Sequence, residues 1–241
     1  YYFSDATKND FSIFSKATFN VLDKLKAFVD VQGRFVSYKT DGLTSDRDPL
    51  NVDTDFNFFN PKIGFTYTIN NEHSIYASYA RANREPNRDD FQNGVDVQPE
   101  TLNDFELGWR LHNETIQLNT NLYYMSYDNQ LIQTGGLNDV GEYLRENVKD
   151  SYRLGLEIDA NINISEKFAI NQNLTISSNK IKNFILDRDG EQKNIGTTNI
   201  AFSPNLITNN ALIYTPTDNL QMTLFYKFVG CLLYTSPSPR D

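Results

Sequence analysis

Apolar and polar side chains alternate at every second position in about ten stretches of this chain. In residues 115–127, one parity holds apolar side chains and the other holds mostly amides. The apolar positions are Ile116, Leu118, Leu122 and Tyr124, and the other parity has Gln117, Asn119, Asn121 and Tyr123. Because successive side chains of a strand point to opposite faces, this period predicts an extended strand with one apolar and one polar face.

The alternation predicts ten strands. They are expected at about 11–21, 25–38, 62–69, 74–81, 104–111, 115–127, 153–163, 170–176, 206–215 and 220–228. The stretch 104–111 has the strictest pattern, because every second residue from Phe105 to Leu111 is large and apolar. The stretch 206–215 has aliphatic side chains at both parities, so its buried face is ambiguous.

The joints between these strands are of two kinds. Tight turns are predicted at Leu22–Lys24, Asn70–His73, His112–Glu114, Ser165–Lys167 and Pro216–Asn219. Long polar loops are predicted near residues 40–58, 82–100, 128–150 and 180–204. Short turns that alternate with long loops are typical of a transmembrane β-barrel, with the turns on the periplasmic side. The expected fold is therefore all-β: an antiparallel up-and-down meander of about ten strands from an incomplete transmembrane β-barrel, with the five turns at one end.

The polar parity is rich in charge, and this admits two architectures. Its charged members are Asp30, Arg34, Asp104, Glu106, Arg110, Arg153, Glu157 and Asp159. Such groups need water or an opposite charge, which either a wide barrel interior or the solvated face of a soluble β-sandwich supplies. A sandwich rarely has tight turns at one end and such long loops at the other, and this favours the barrel.

Composition changes the picture little. The 241 residues are 39% hydrophobic and carry a formal net charge of −9. No apolar run approaches the roughly 20 residues that a transmembrane helix needs, and barrel strands keep average hydropathy low. The acidic balance argues against nucleic acid as a partner, because nucleic-acid-binding surfaces are basic.

The last eleven residues, 231–241, break the alternation and contain the chain's single cysteine and two of its eight prolines. Their sequence resembles the translated end of a transposase adapter from sequencing-library preparation. We therefore interpret residues 1–230 as the native barrel segment and 231–241 as an appended tail. The alternative is a native proline-rich loop. Cys231 then carries no information about redox compartment, and no disulfide framework is predicted.

Several segments resemble the sequences of TonB-dependent outer-membrane receptors, most of all those of the Bacteroidetes. The segments are Asn60–Gly64 (NPKIG), Tyr76–Ala80 (YASYA), Arg84–Phe91 (REPNRDDF), Pro99–Gly108 (PETLNDFELG), Asn121–Met125 (NLYYM), Asn138–Gly141 (NDVG) and Ser151–Glu157 (SYRLGLE). Their order and spacing cover most of residues 1–230.

The resemblance implies a location in the outer membrane of a Gram-negative bacterium. It also implies a barrel of about 22 strands, plugged by an N-terminal domain and energised by the TonB complex of the inner membrane. This chain is expected to correspond to about strands 10 to 19 of such a barrel, without the plug and the last strands.

A cluster of charged and amide residues is predicted where the fourth strand meets an external loop. Its candidate ligand-binding members are Arg81, Arg84, Asn87, Arg88, Asp89 and Asp90, with Glu85 among them. Guanidinium groups bind carboxylates, catecholates and phosphates well, so the cluster suits an anionic chelate. The alternative is that these residues pair with each other and with the plug and hold the barrel wall.

Other candidate chemistry is sparse. Asp46, Asp48, Asp53 and Asp55 offer oxygen ligands for calcium, but their spacing matches no known loop, which favours a solvated acidic loop. His73 and His112 fall at predicted periplasmic turns. No nucleophile–histidine–acid arrangement is evident, so we predict no catalytic, cofactor or metal site and no enzyme.

The predicted function is import of a scarce nutrient, a small molecule, through a receptor in contact with outer-membrane lipid. An iron chelate such as a siderophore is favoured over haem, because none of the four loops contains a histidine to bind haem iron. An oligosaccharide importer or a passive porin would share the barrel. A soluble carbohydrate-binding β-protein would share only the alternation.

The interpretation of the tail predicts a discontinuity in the genome. We expect genomic DNA, read directly across codon 230, to continue with codons for further barrel sequence instead of those for residues 231–241. A genomic read that encodes residues 231–241 in frame would contradict the interpretation.

Overall fold

The computed structural model describes residues 3–44, 47–91, 96–137, 143–188 and 191–231. The strands are β1 (Ser4–Leu22), β2 (Leu25–Leu43), β3 (Pro49–Thr68), β4 (His73–Arg84), β5 (Glu100–His112), β6 (Ile116–Leu137), β7 (Tyr143–Ser165), β8 (Phe168–Arg188), β9 (Glu191–Asn199), β10 (Leu206–Thr217) and β11 (Leu220–Val229). One short helix, α1 (Arg88–Phe91), lies between β4 and β5. Apart from Cys231, the proposed tail falls outside the described residues, so its origin stays a prediction.

All eleven strands form one antiparallel sheet in the order β1-β2-β3-β4-β5-β6-β7-β8-β10-β11, with β9 also paired to β8. The five predicted turns join β1 to β2, β3 to β4, β5 to β6, β7 to β8 and β10 to β11, so they all lie at one end of the strands. We call this the turn end and the opposite one the hairpin end. The predicted antiparallel meander is thus confirmed, and the described residues form no second sheet as a sandwich would require.

The structure has one strand more than the sequence predicted. β9 pairs with the hairpin-end part of β8, from Lys180 to Arg188, and β10 pairs with the turn-end part, from Phe168 to Ile176. β9 and β10 therefore pair with the same edge of β8, at successive positions along its length. The sequence of β9, EQKNIGTTN, contains a single aliphatic residue and no alternation, which is why periodicity missed it.

The prediction of long loops was wrong for three of the four connections. β2 and β3 remain paired as far as Leu43 and Pro49, and β6 and β7 as far as Leu137 and Tyr143. Most of 180–204 lies in β8 and β9.

In the β2–β3 hairpin the apolar side chains change to the other parity, where Tyr38, Leu50 and Val52 are buried on the polar face. In the β6–β7 hairpin the adjacent residues Leu131 and Ile132 are both buried, so no single period runs through these strands. The backbone pairing continues nevertheless, because each N–H and C=O group still finds a partner.

One face of the sheet, the apolar face, exposes large hydrophobic side chains. Its exposed members include Ile13, Phe35, Ile63, Phe65, Ile75, Leu107, Leu122, Leu156, Ile176, Leu212 and Leu224. An exposed apolar surface of this extent marks a surface that contacts other protein or a membrane. In a transmembrane β-barrel, such a face is turned toward lipid. Among the described residues, no helix is both long enough and apolar enough to span a bilayer.

The opposite face, the polar face, carries side chains that contact one another across strands. Arg34 Nε donates to Asp10 Oδ1 at 3.1 Å, and Ser78 Oγ donates to Glu106 Oε2 at 3.1 Å. The guanidinium of Arg110 lies 4.3 Å from the centre of the Tyr76 ring. Neighbouring groups on this face therefore compensate part of its charge, as expected for a wall that faces water or other protein.

Three glycines on the polar face are each covered by an aromatic ring from the adjacent, preceding strand. The directly paired residues are Phe28 with Gly64, Tyr76 with Gly108, and Tyr123 with Gly155. At each of the three glycines, an added Cβ would overlap the ring. Glycine is therefore required there so that a ring can lie flat across the neighbouring strand.

The glycine contacts predict a specific defect for Gly108→Ala in the full-length receptor. The methyl group must push the Tyr76 ring away from its place, which also breaks the 3.0 Å hydrogen bond from Tyr76 Oη to Asn121 Oδ1. We expect a loss of about 1 to 3 kcal/mol in the free energy of unfolding, measured as a shift in the heat-induced loss of the compact band in detergent electrophoresis.

Gly33→Ala is the matched control, because a Cβ at Gly33 meets its nearest neighbour at an ordinary 3.6 Å. Tyr76→Ala removes the ring that clashes with the added methyl group. The double variant Tyr76→Ala/Gly108→Ala should therefore be as stable as the single variant Tyr76→Ala. Equal stability of the Gly108 and Gly33 variants would contradict the account.

Candidate functional site

The connection between β4 and β5 comprises residues 85–99, and we call it the β4–β5 segment. Its described residues, 85–91 and 96–99, lie against the polar face at the hairpin end. Its helix α1 is anchored by Phe91, which is 3% exposed. The Phe91 ring stacks on Tyr38 of β2 at 5.7 Å between centres and an 8° interplanar angle. Leu50 and Val52 of β3 complete the cluster. Apolar burial thus holds the segment against β2 and β3.

Glu85 ties the start of the segment to β1 and β2. Its carboxylate accepts from Lys8 Nζ at 2.6 Å and from Arg34 Nη1 and Nη2 at 2.7 Å each. Arg34 also bonds Asp10, so the four side chains form one network. Glu85 is 8% exposed. A buried carboxylate is tolerated because two cations and several hydrogen bonds replace its water.

Two opposing effects set the pKa of Glu85, which lies beyond the end of β4. Burial by itself raises the pKa, but the hydrogen bonds from Lys8 and Arg34 together outweigh it and leave the pKa below the ordinary range of Glu. Glu85 is therefore ionised at neutral pH, and the network keeps its charges.

Helix α1 contacts two distant strands of the sheet, β1 and β7. Asn87 N donates to Asp90 Oδ2 at 2.8 Å, and Asp90 N donates to Asn87 Oδ1 at 3.0 Å. Asp90 is 1% exposed, and Arg145 Nη1 of β7 lies 3.6 Å from its Oδ1. Arg88 Nη2 donates to Ser4 Oγ of β1 at 3.0 Å. The segment therefore spans the polar face from β1 to β7.

The far end of the segment is fixed to β6 and β7. Gln98 N donates to Asn147 Oδ1 at 2.8 Å, and Asn147 Nδ2 donates back to Gln98 O at 2.9 Å. Glu100 Oε1 lies 2.7 Å from Arg84 Nε, and Glu100 Oε2 accepts from Leu131 N at 2.8 Å. Both ends of the segment are thus held by charged or reciprocal hydrogen bonds.

The six predicted ligand-binding residues do not form one cluster. Arg84, Asn87, Arg88, Asp89 and Asp90 lie at or in the β4–β5 segment, and Asp89 is the exposed member of α1. Arg81 lies on the other face, because β4 is paired in unbroken register and Arg81 shares the parity of Ile75 and Tyr79. The role of all six in ligand binding stays a prediction.

The alternation of apolar and polar residues did not predict several of the side chains that contact these residues. Lys8, Arg145 and Asn147 are far from the segment in sequence, and each meets it only because the sheet brings β1 and β7 alongside. Glu100 directly follows the segment, and it meets Arg84 because β4 and β5 are paired. Arg34 was placed correctly on the polar face, but no sequence signal connected it to Glu85. A charged residue at the end of an alternating strand is the only hint that the sequence offered.

The other predicted chemistry is only partly within the described residues. Asp46 lies outside them; Asp53 accepts from Lys39 Nζ at 2.7 Å. In the described part of the chain, no group of three or more Asp, Glu, His or Cys side chains is placed to hold a metal ion. His73 begins β4 at the turn end, and its ring stacks on Trp109 at 5.7 Å. His112 ends β5 at the same end.

A second feature of the polar face is a shallow cleft lined mainly by amides between β7, β8, β10 and β11. Its lining includes Asn161, Asn171, Asn173, Asn209 and Phe225. Asn161 pairs with Asn171 and Asn173 pairs with Asn209, so these amides form a row of two cross-strand pairs that are offset by two residues along β8. This surface offers many neutral donors and acceptors beside one aromatic ring.

Solved structures of outer-membrane receptors and transporters resemble this chain. The siderophore receptor PiuA from Acinetobacter baumannii has a TM-score of 0.74 at 19% identity, over 94% of this chain and 34% of that one. The copper transporter OprC has 0.73 at 14%, over 93% and 36%. The ferric yersiniabactin uptake receptor FyuA from Yersinia pestis has 0.68 at 14%, over 94% and 35%.

At these identities the likeness shows the fold alone, and the chain spans about a third of the length of each of these structures. No curated protein matches the chain. The family model described as TonB dependent receptor-like, beta-barrel, matches residues 1–237, which is nearly the whole chain. Together with the two-faced antiparallel sheet, this match shows that the chain belongs to the TonB-dependent receptor β-barrel family.

Proposed function

We propose that the complete protein is an outer-membrane receptor of a Gram-negative bacterium that imports a scarce nutrient with energy from the TonB complex. The observation that carries this proposal is the two-faced sheet of a family member: an exposed apolar face and a charged polar face. In this proposal the apolar face contacts lipid and the polar face lines the lumen, where a plug domain binds. The turn end is periplasmic and the hairpin end external.

We further propose that the substrate is an anionic iron chelate of the siderophore class. The similar structures include receptors whose names state siderophore or ferric yersiniabactin uptake. In this proposal Arg84, at the end of β4, and Arg88 of the β4–β5 segment lie at the external mouth of the lumen. The Arg84 side chain is 56% exposed although it pairs with Glu100, so donors of its guanidinium remain available to a ligand.

An oligosaccharide importer is the second candidate, and the amide-lined cleft favours it. Sugars are bound through many neutral hydrogen bonds and an aromatic platform, and the row from Asn161 to Asn209 beside Phe225 has this character. The two candidates differ in charge: the chelate needs the arginines of the segment, and the sugar needs the amides and the ring.

The first test replaces Arg84 and Arg88 together with Ala in the full-length receptor. Because hydrogen bonds to charged groups contribute about 1.5 to 3 kcal/mol each, we expect binding of a ferric chelate to weaken at least about tenfold, with unchanged amounts of folded receptor in the outer membrane. Lys39→Ala is the matched control, since Lys39 is an exposed cation that pairs with Asp53 outside the segment.

Each other outcome of this test has a defined meaning. Unchanged chelate uptake in the double variant would contradict the ligand-binding role. Loss of folded receptor would assign the two arginines to the barrel wall. Uptake of an oligosaccharide, with no chelate uptake by the unaltered receptor, would favour the second candidate.

The second test concerns the anchoring of the segment by Glu85. Since the folded-state pKa of Glu85 is lowered, its ionised form stabilises the segment above the pKa of an unfolded glutamate, and this contribution is lost as pH falls through the folded value. We expect Glu85→Gln at pH 7 to increase amide hydrogen exchange in residues 85–99. The unaltered receptor should show the same increase only at pH below about 4.

Asp53→Asn is the control for Glu85→Gln, because it neutralises an exposed carboxylate whose ion-pair partner, Lys39, is not a residue of the segment. It should leave exchange in residues 85–99 unchanged. Exchange in the Glu85 variant equal to that of the unaltered receptor at pH 7 would contradict the anchoring role of Glu85 and leave the Phe91 packing and the other hydrogen bonds to hold the segment.

A further inference from the structure

A row of aromatic side chains crosses the apolar face toward the hairpin end. From β1 to β6 its members are Phe11, Phe35, Phe59, Tyr79, Phe105 and Tyr124. Two pairs of neighbours in the row are in ring contact: the centres of the Phe11 and Phe35 rings are 6.3 Å apart, and those of the Tyr79 and Phe105 rings are 4.9 Å apart. Rows of this kind lie at the boundary between hydrocarbon and headgroups in membrane barrels.

The next position on the same face, two residues closer to the hairpin end, is polar on every one of these strands. These residues are Asn9, Ser37, Asn57, Arg81, Asn103 and Ser126. Five of them are neutral, and Arg81 is the single cation. A guanidinium therefore stands immediately beyond the aromatic row, at the level where lipid headgroups begin.

The charge of Arg81 is not compensated by an acidic side chain. No carboxylate within the described ranges forms a salt bridge with it, whereas Arg84, three residues later, pairs with Glu100 at 2.7 Å. The nearest polar group across the strand pair is Asn103, whose Oδ1 already accepts from Tyr79 Oη at 2.8 Å. Arg81 is exposed, so its donors are directed to the surroundings of the apolar face.

We propose that Arg81 binds a phosphate group of the glycolipid in the outer leaflet. This inference rests on the proposed outer-membrane location, because only there does the apolar face meet phosphorylated glycolipid. The planar guanidinium matches two phosphate oxygens, and the aromatic row beneath it packs against the upper acyl chains. A ligand in the lumen cannot reach Arg81, because the sheet separates the two faces. In this proposal Arg81 forms part of a lipid-binding surface with Tyr79 and Asn103, instead of part of the ligand-binding site.

The test uses full-length receptor purified in a mild detergent and probed with lipopolysaccharide and with its dephosphorylated form. We expect the unaltered receptor to retain the phosphorylated form severalfold better in native mass spectrometry. Arg81→Ala should lose this preference, and Arg81→Lys should keep part of it, because lysine keeps the charge without the fork. Arg84→Ala is the control on the other face and should keep the preference.

The outcomes separate this inference from the proposed function. Membrane fractionation of the unaltered receptor outside the outer membrane would overturn the proposed location. If the receptor is in the outer membrane and Arg81→Ala retains phosphorylated lipopolysaccharide as the unaltered receptor does, the inference is overturned while the location stands. If Arg81→Ala does not fold, the comparison of the two lipid forms on the unaltered receptor decides: equal retention overturns the inference.

Discussion

Continuous pairing between strands is the constraint on which the rest of this structure depends. A strand with one face in hydrocarbon has no water there for its N–H and C=O groups, so neighbouring strands must satisfy them. From β2 to β6 the pairing shows no shift in register. Because side chains alternate strictly along such strands, the register decides which residues share a face and therefore which medium each one meets.

The polar face shows how this constraint is combined with bulky and charged side chains. Phe28, Tyr76 and Tyr123 each lie over a glycine of the neighbouring strand, so their rings lie along the wall and do not project from it. Cations then sit over rings of this face, with Arg110 4.3 Å from the Tyr76 ring. The β4–β5 segment is added to this wall through a buried carboxylate, Glu85, whose charge is balanced by cations of β1 and β2.

The alternating part of the sheet could be predicted from the sequence because the apolar face and the polar face require different side chains on the two parities. The strand predicted at 104–111 matches the turn-end part of β5 (Glu100–His112), since every second side chain from Phe105 to Leu111 is large and apolar. The hairpins were missed because their apolar side chains change parity, as between Ile63 and Val52 in β3. β9 was missed because it carries one aliphatic residue, Ile195. The contacts of Glu85 could not be predicted either. They join residues up to 77 positions apart, and only the completed sheet brings these together.

The separation of Arg81 from Arg84 shows why parity matters more than proximity in a barrel strand. Two residues three positions apart lie on the same side of a helix, but they lie on opposite faces of a strand. A cluster that looks contiguous in sequence, from Arg81 to Asp90, is therefore divided by the sheet. One arginine meets the surroundings of the apolar face, and the other meets Glu100 and the mouth of the polar face. Any role assigned to a charged residue in such a strand must first account for the face that the register gives it.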